Sequence, residues 1–478
     1  MGVLEDLLRG AQPGYETQVQ TILQRLLDTF GEAAFEGVDR AGFALHAIGL
    51  LERSNADISV RLWLLRGLWS LGWWCDAPVG DREIADLSAL TRKIHFQTAK
   101  GVGLLPCKAR PEALRRHAVF VGALVGLMHS PTRGSFDYVR ALAANSDNAH
   151  IDVFHLGTLT PAMRAYGDEL FGQNAARVAY VSMEENLDWF ARATSEGPYT
   201  YHFWCEDALA QHISLLAMLG PTVMFTCGDV APVQFADVYW YGHDAAYMAA
   251  LWRRQGAPEG FVRNYRFLQS TPLNLPTSKA RRTRRDLDLG DDDIVVVSAG
   301  NRLGADLDQP FVDGLATFLR GHPQIRWMAV GGLHDYWIST FKSVLGRQFV
   351  HIPYDHDLPS LFAVCDIFAN PFRAGGGHSS VIAINAGAVV LARGDLGDVG
   401  ALVPAPHRAR DAPDYFAKLD GLAGDPGQRA TWAKAQQAHL AMIGDQAAFA
   451  AELGAVCDLA YRRFGKRLPV VREALFAQ

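Results

Sequence analysis

The stretch Asn370-Pro371-Phe372-Arg373-Ala374-Gly375-Gly376-Gly377-His378-Ser379-Ser380 follows a short apolar run, Asp366 to Ala369. It opens an apolar segment that ends at Ala386-Gly387, ahead of a second run, Ala388 to Ala392. Strand, glycine loop, helix, strand is the order that sets free backbone N–H groups and a helix N-terminus against a phosphate. Three consecutive glycines let the backbone approach a ligand without β-carbons in the way, and Ser379 and Ser380 can cap the helix or bond phosphate oxygens. A flexible connection would use the same letters, so the flanking pattern has to decide between the two.

That pattern is an alternation. Ala118 to Met128 reads as a buried parallel strand, followed by a polar turn from His129 to Gly134 and a helix from about Phe136 to Ala144. Ile151 to Leu156, Arg177 to Val181 and Thr222 to Thr226 read as strands, Ala208 to Leu219 as a helix, and Ala236 to Tyr241 as the run that closes the series. Leu275 to Arg285, with Pro276, Lys279, Arg281, Arg282, Arg284 and Arg285, interrupts it and reads as a solvated linker or a basic docking surface. A second series follows: strands at Ile294 to Ser298, Ile325 to Val330, Phe349 to Ile352, Ile367 to Ala369 and Val389 to Ala392, with helices at Pro310 to Leu319 and Tyr336 to Leu345. Alternating strands and helices imply βαβ units and parallel sheets. Two doubly wound sheets are expected to leave a cleft between their strand C-termini, where ligands bind in such folds.

The ends of the chain read differently. Up to about Arg110 the apolar residues recur at helical spacing, as in Val19 to Phe30 and Ile58 to Trp74. Trp63, Trp69, Trp73 and Trp74 suit a helical core or, alternatively, a glycan- or peptide-binding surface. From Asp411 onward the chain is alanine-rich and helical. The expected domains are an all-helical 1–112, a first Rossmann-like domain at 113–275, a second at 276–440, and C-terminal helices at 441–478.

Composition narrows the setting. A net charge of −6 does not suggest nucleic acid as the partner. The run Ala118 to Met128 is too short for a membrane span, and the N-terminus lacks the basic and apolar regions of a secretory signal, so a cytoplasmic protein is expected. The six cysteines, Cys75, Cys107, Cys205, Cys227, Cys365 and Cys457, have no paired spacing, which indicates neither a zinc site nor a disulfide framework.

Candidate chemistry gathers at strand ends. Arg302 follows the first strand of the second series, where a guanidinium can neutralise a diphosphate. Asn370, Arg373 and Gly375 to Ser380 form the glycine loop. Tyr354, with Asp355, His356 and Asp357, reads as a loop that holds a nucleotide base or equally as a capped turn. Asp398, in the segment from Gly394 to Gly400, can cap a helix or contact a sugar hydroxyl. In the first series His129 stands where the strand is expected to end and is the preferred base for an attacking nucleophile; His243 and Asp229 are the next candidates. Asp306-Leu307-Asp308 matches a metal-binding pattern by letter only, and no metal is assigned.

With these residues in view, the chain resembles the GT-B glycosyltransferases over about residues 115 to 400. CDIFANPFRAGGGHSS…INAGAVV is similar to the donor-binding stretch of that fold. Many retaining members carry two glutamates there; counting from Ala386-Gly387, the matching positions are Ala374 and Ile382, so both carboxylates are absent. His378-Ser379-Ser380 instead resembles the His-Thr-Thr run of O-GlcNAc transferase and the bacterial cytoplasmic adhesin N-glycosyltransferases, and Pro221 to Asp244 resembles the end of their first Rossmann-like domain. The resemblance implies two Rossmann-like domains facing a cleft behind an all-helical domain. It also implies inverting, metal-independent transfer of a sugar from a nucleotide diphosphate, UDP by the family's habit, to a protein side chain. No cofactor is implied beyond that donor. A lipid-linked or polysaccharide acceptor, and a non-catalytic interaction protein on the same fold, are the alternatives. The family's diphosphate-binding lysine has no counterpart, since Gly304 and Ala305 occupy its place and leave Arg302 to supply the charge. Its ribose-contacting aspartate is likewise replaced, by Ile382 and Ala383.

Overall fold

The computed structural model describes residues 116–476, except 123, 128, 146–147, 184–191, 194–198, 205–215, 218, 226–235, 242–244, 255–258, 269–277, 279–281, 374 and 395–398. The expected helical region at 1–112 therefore lies outside the described residues, as does most of the helix expected from Ala208. The described chain separates into two compact units. One runs from the first strand to Tyr241, with Ala245–Phe267 and the chain from Ala450 onward; the other is Leu268–Phe449.

The first unit is built on a seven-stranded, all-parallel sheet of β1 (Arg116–Val121), β2 (His150–His155), β3 (Val178–Ser182), β4 (Thr200–Trp204), β5 (Thr222–Phe225), β6 (Val238–Tyr241) and β7 (Tyr265–Phe267), in the order β3-β2-β1-β4-β5-β6-β7. Helices α1 (Ser130–Asn145), α2 (Pro161–Phe171), α3 (Ala245–Arg254) and α4 (Glu259–Asn264) connect it. The central strands are buried on both faces, so they need near-continuous apolar runs; Ala118, Val119 and Phe120 are fully inside. Phe120 stacks between Phe154 of β2 and Phe203 of β4, at 4.9 and 5.2 Å between ring centroids.

Three expectations change here. β1 stops at Val121, and the rest of the apolar run crosses the loop before α1. The expected polar turn is the first turn of α1, because Pro131 lies where a helix needs no N–H donor. The series does not close at Tyr241, since β7 pairs parallel to β6 at the sheet edge.

The second unit holds a five-stranded parallel sheet of β8 (Ile294–Ala299), β9 (Ile325–Val330), β10 (Phe349–Ile352), β11 (Ile367–Ala369) and β12 (Val389–Leu391), ordered β10-β9-β8-β11-β12. Its helices are α5 (Leu303–Asp306), α6 (Gln309–Gly321), α7 (Asp335–Leu345), α8 (Leu358–Phe362), α9 (Gly377–Ala386), α10 (Val399–Leu402), α11 (Ala412–Gly424) and α12 (Pro426–Ile443). α6 shows the local logic. Asp308 caps it by accepting from the Phe311 N–H at 2.9 Å, Pro310 sits in its first turn, and Phe311, Val312, Leu315, Phe318 and Leu319 form one buried stripe. The last helix, α13 (Gln446–Phe476), joins the first unit from Ala450 onward. Its Arg467 makes paired 3.0 Å bonds to the buried Asp237 carboxylate.

The basic segment before β8 is no solvated linker where it is described. Arg282 pairs with Asp355, Arg284 pairs with Asp366 at 2.9 Å, and Thr283 and Asp286 form a capping box. Partners 73 and 82 residues away pin it to the second sheet. Among the described residues, no single helix is long and apolar enough to cross a membrane.

Candidate functional site

Both sheets reverse strand order beside their first strand, at β1/β4 and at β8/β11. Ligands bind at such reversals, outside the strand C-termini. The connections after β8 and β11 carry Arg302 and the glycine loop, so these two features flank the reversal of the second sheet.

Asn370 leaves β11 and is 2% exposed. Its N–H donates to the Leu391 carbonyl at 3.0 Å and its carbonyl accepts from the Tyr415 hydroxyl at 3.0 Å. Its side chain accepts from the Arg373 Nε–H at 3.1 Å and donates to the Gly375 carbonyl at 3.3 Å. Arg373 then reaches to the neighbouring connection, donating to the Ala299 carbonyl at 2.6 Å and to Asp306 at 2.8 Å. With its side chain 6% exposed, Arg373 is a strut beneath the loop. This revises its expected role: with Nε, Nη1 and Nη2 all engaged inside the protein, its direct effect is on loop shape. Gly300 and Gly376 make room for it. A β-carbon at Gly300 would lie 2.4 Å from Nη1, and one at Gly376 would lie 2.3 Å from Asn370 Oδ1 and 2.8 Å from Nη2. Gly376 also has φ +111°, where only glycine is unstrained.

α9 starts at Gly377 with Gly376 as its N-cap, no side-chain cap and no acidic residue in the first turn. The Ser380 N–H closes that turn onto the Gly376 carbonyl at 2.9 Å. A helix start leaves N–H groups without intrahelical partners and about half a positive charge. Neither Ser379 nor Ser380 caps the helix, so that expected alternative fails. The Ser380 hydroxyl is fully buried with no protein hydrogen-bond partner. Gly375, His378 and Ser379 are half-buried around it, and a β-carbon at Gly375 would meet open space. The arrangement is a positive, Cβ-poor surface suited to anion oxygens. Ile382 and Ala383 are buried in the core and offer no polar group there.

Arg302 is 81% exposed, at the N-cap position of α5, with Asp306 3.8 Å away. Gly304 packs so closely on His334 that a β-carbon would lie 3.0 Å from its backbone nitrogen. The metal-like letters resolve into two structural roles: Asp306 receives Arg373, and Asp308 caps α6. Among the described residues, the sequence did not reveal Tyr415 or the part Asp306 plays as the partner of Arg373; their partners lie 45 and 67 residues away.

After β10, Asp355 holds Arg282 and receives the Asp357 N–H at 2.7 Å, while Asp357 caps α8. The capped-turn reading holds for these two. Tyr354 stays 49% exposed, its ring edge-on to His356 at 4.6 Å.

In the first unit His129 lies beyond the end of β1, immediately before α1, with its carbonyl receiving the Arg133 N–H at 3.0 Å. It caps the start of α1 and does not end the strand. Its Nδ1 is 2.9 Å from Thr132 Oγ1, which also accepts from the Val125 N–H at 3.2 Å. In the tautomer whose Nδ1–H donates to Thr132, Nε2 is bare and basic. Half-burial lowers the pKa, which keeps the ring neutral at pH 7. His243, Asp229, Asp398 and Ala374 lie outside the described residues.

No protein-family model and no curated protein sequence matches the chain. Solved structures do. An O-GlcNAc transferase mutant of Thermobaculum terrenum gives a TM-score of 0.57 at 16% identity, over 96% of this chain and 89% of that one. A glycosyltransferase of Rickettsia africae gives 0.50 at 11% identity, over 76% of this chain and 100% of that one. At these identities the likeness is one of fold. The chain has the α/β fold of the GT-B glycosyltransferases, with two Rossmann-like sheets.

Proposed function

We propose that this protein is a glycosyltransferase that takes a sugar from a nucleoside diphosphate donor, UDP-linked by preference. The observation that carries the reading is the start of α9: an uncapped helix N-terminus behind three glycines, with the Ser380 hydroxyl unpartnered, at the strand-order reversal of the second sheet. The α9 N–H groups and Arg302 stabilise the departing diphosphate, and Tyr354 offers a face to the base. The acceptor nucleophile attacks the anomeric carbon as the bond to the diphosphate oxygen breaks, and its proton goes to His129. The missing carboxylates at Ala374 and Ile382 support inversion in one displacement. Arg302 and the helix dipole supply positive charge, which supports diphosphate departure without a metal. A protein side chain is the proposed acceptor, on the fold likeness to a protein named O-GlcNAc transferase.

Calorimetric titration of the full chain with UDP, UMP and uridine, in the presence of a chelator, tests the donor site. UDP should bind more tightly than UMP and UMP more tightly than uridine, and a UDP-sugar should be slowly hydrolysed. Binding that appears only with an added divalent ion would remove the metal-free reading. Equal affinity for uridine and UDP would remove the diphosphate site.

A further inference from the structure

The core of the first unit holds a polar cluster that the transfer reaction does not use. His117 is the second residue of β1, toward the N-terminal end of the sheet, away from the reversal's C-terminal side. His202 lies on β4 opposite Val119, and parallel partners share a face, so the two histidines project to the same side. Cys457 of α13 meets them there. The three side chains are 3%, 1% and 4% exposed. Their ligating atoms, one per residue, lie within 4.8 Å of one another. His117 Nδ1 and His202 Nε2 are 3.0 Å apart, and the other nitrogen of His202 sits 2.8 Å from the Tyr138 hydroxyl of α1.

We propose that His117, His202 and Cys457 bind one thiophilic d10 cation, Zn2+ or Cu+, which ties α13 to the sheet of the first unit. The donor set is the one such ions prefer, imidazole nitrogen with thiolate sulfur. The spacing fits as well. Two nitrogens bonded to one ion at about 2.0–2.1 Å stand roughly 3 Å apart, close to the 3.0 Å between His117 Nδ1 and His202 Nε2. Tyr138 does what an outer partner of a ligating histidine does: it accepts from Nδ1–H, fixes the tautomer and leaves Nε2 bare toward the ion. On binding, the Cys457 thiol gives up its proton to solvent, and the proton that bridges the two rings from His117 Nδ1 moves to His117 Nε2 by tautomerisation, while His202 keeps its Nδ1–H on Tyr138; one proton leaves per ion bound. The three ligands come from β1, β4 and the last helix, so the ion closes a loop spanning most of the described chain. With three protein ligands, the ion is trigonal or takes one further small ligand. The cluster is separate from the diphosphate site, which belongs to the other unit, and its proposal does not depend on the transferase reading.

The test uses the full chain, stripped with a chelator under reducing conditions. It is then titrated with Zn2+ against a chromophoric chelator, with Cu+ against a Cu+-selective one, and with Co2+ as a spectroscopic probe. The expected result is about one equivalent bound per chain, with a rise in melting temperature and a thiolate-to-cobalt charge-transfer band. Preference between the Zn2+ and Cu+ titrations identifies the ion. Cys457→Ala should lose the band and the thermal shift, and Tyr138→Phe should weaken binding by about 10–100-fold while keeping the band. A wild-type chain that shows neither stoichiometric binding nor the charge-transfer band overturns the proposal. So does a folded Cys457→Ala variant, checked by circular dichroism, that binds as tightly as wild type. If Cys457→Ala does not fold, the wild-type cobalt spectrum decides alone.

Discussion

The connections that follow β11 and β1 occupy comparable places beside a strand-order reversal, yet they solve opposite problems. After β11 the chain removes side chains: Gly375, Gly376 and Gly377 bare the backbone, and α9 begins with no side-chain cap. After β1 it adds them: His129 and Thr132 bond each other at the start of α1, and Pro131 fills the first turn. The first arrangement holds fixed positive dipoles for an anion. The second positions a neutral ring that can take and release a proton. The same topology thus bares backbone at one reversal and sets paired polar side chains beside the other.

The contrast breaks most sharply at His129. His129→Ala should lower turnover by about 10²–10⁴-fold, the usual contribution of a positioned base, while UDP affinity stays unchanged. The pH profile gives the sign. The competent form is the neutral ring, and burial depresses its pKa below the ordinary 6.5. Activity should therefore be flat at neutral pH and fall only as acid passes the lowered value, and this acid limb should vanish from the residual activity of the variant. A folded His129→Ala chain with wild-type turnover would falsify the catalytic assignment; His243 and Asp229 would then be tested.

Arg373 tests whether the glycine loop depends on the strut beneath it. Arg373→Ala leaves Asp306 and Asn370 without their guanidinium partner in a nearly closed environment. Removing one member of a buried pair costs about 3–5 kcal/mol, and because Asp306 keeps some solvent access, roughly the lower end is expected. Urea unfolding of the second unit should show the loss, with UDP affinity falling alongside it. Unchanged stability with weakened binding would return Arg373 to the role of a direct ligand.

The second unit was the more legible of the two. Ile325–Val330 and Phe349–Ile352 are apolar runs each broken by a single polar residue, Arg326 and His351, and bounded by turn residues, and their strands match the reading residue for residue. β4 escaped notice because Thr-Tyr-His-Phe-Trp has no aliphatic residue, and its polar His202 is buried only by virtue of Tyr138 and His117. Gly134 suggested a turn, but it is a packing glycine inside α1, since a β-carbon there would lie 2.7 Å from the Trp204 ring. The glycine loop announced itself locally. Arg373 did not reveal its role, because Asp306 and Ala299 approach it only once β8 lies beside β11. Local periodicity carries strands and loop glycines; it carries no information about which side chains meet across the sheet.

The smallest effect is expected at Arg302, and it sharpens the distinction between the two arginines at this reversal. Arg302 is largely in solvent, and its 3.8 Å approach to Asp306 is a loose, exposed pair that contributes little to stability. Arg302→Ala should therefore leave the unfolding midpoint where it is. A charged hydrogen bond to a diphosphate contributes about 1.5–3 kcal/mol when it is sheltered. At this exposure, screening reduces the expected loss of UDP affinity to roughly 1 kcal/mol, about fivefold. The loss should shrink further as salt is raised through the range where the Debye length falls to a few ångströms. Arg302→Lys should recover part of it, because a point charge replaces the charge but not the planar fork. If Arg302→Ala and wild type bind UDP equally at low salt, the positive charge at this site comes from the α9 N-terminus alone, and the contrast between backbone and side-chain chemistry becomes complete.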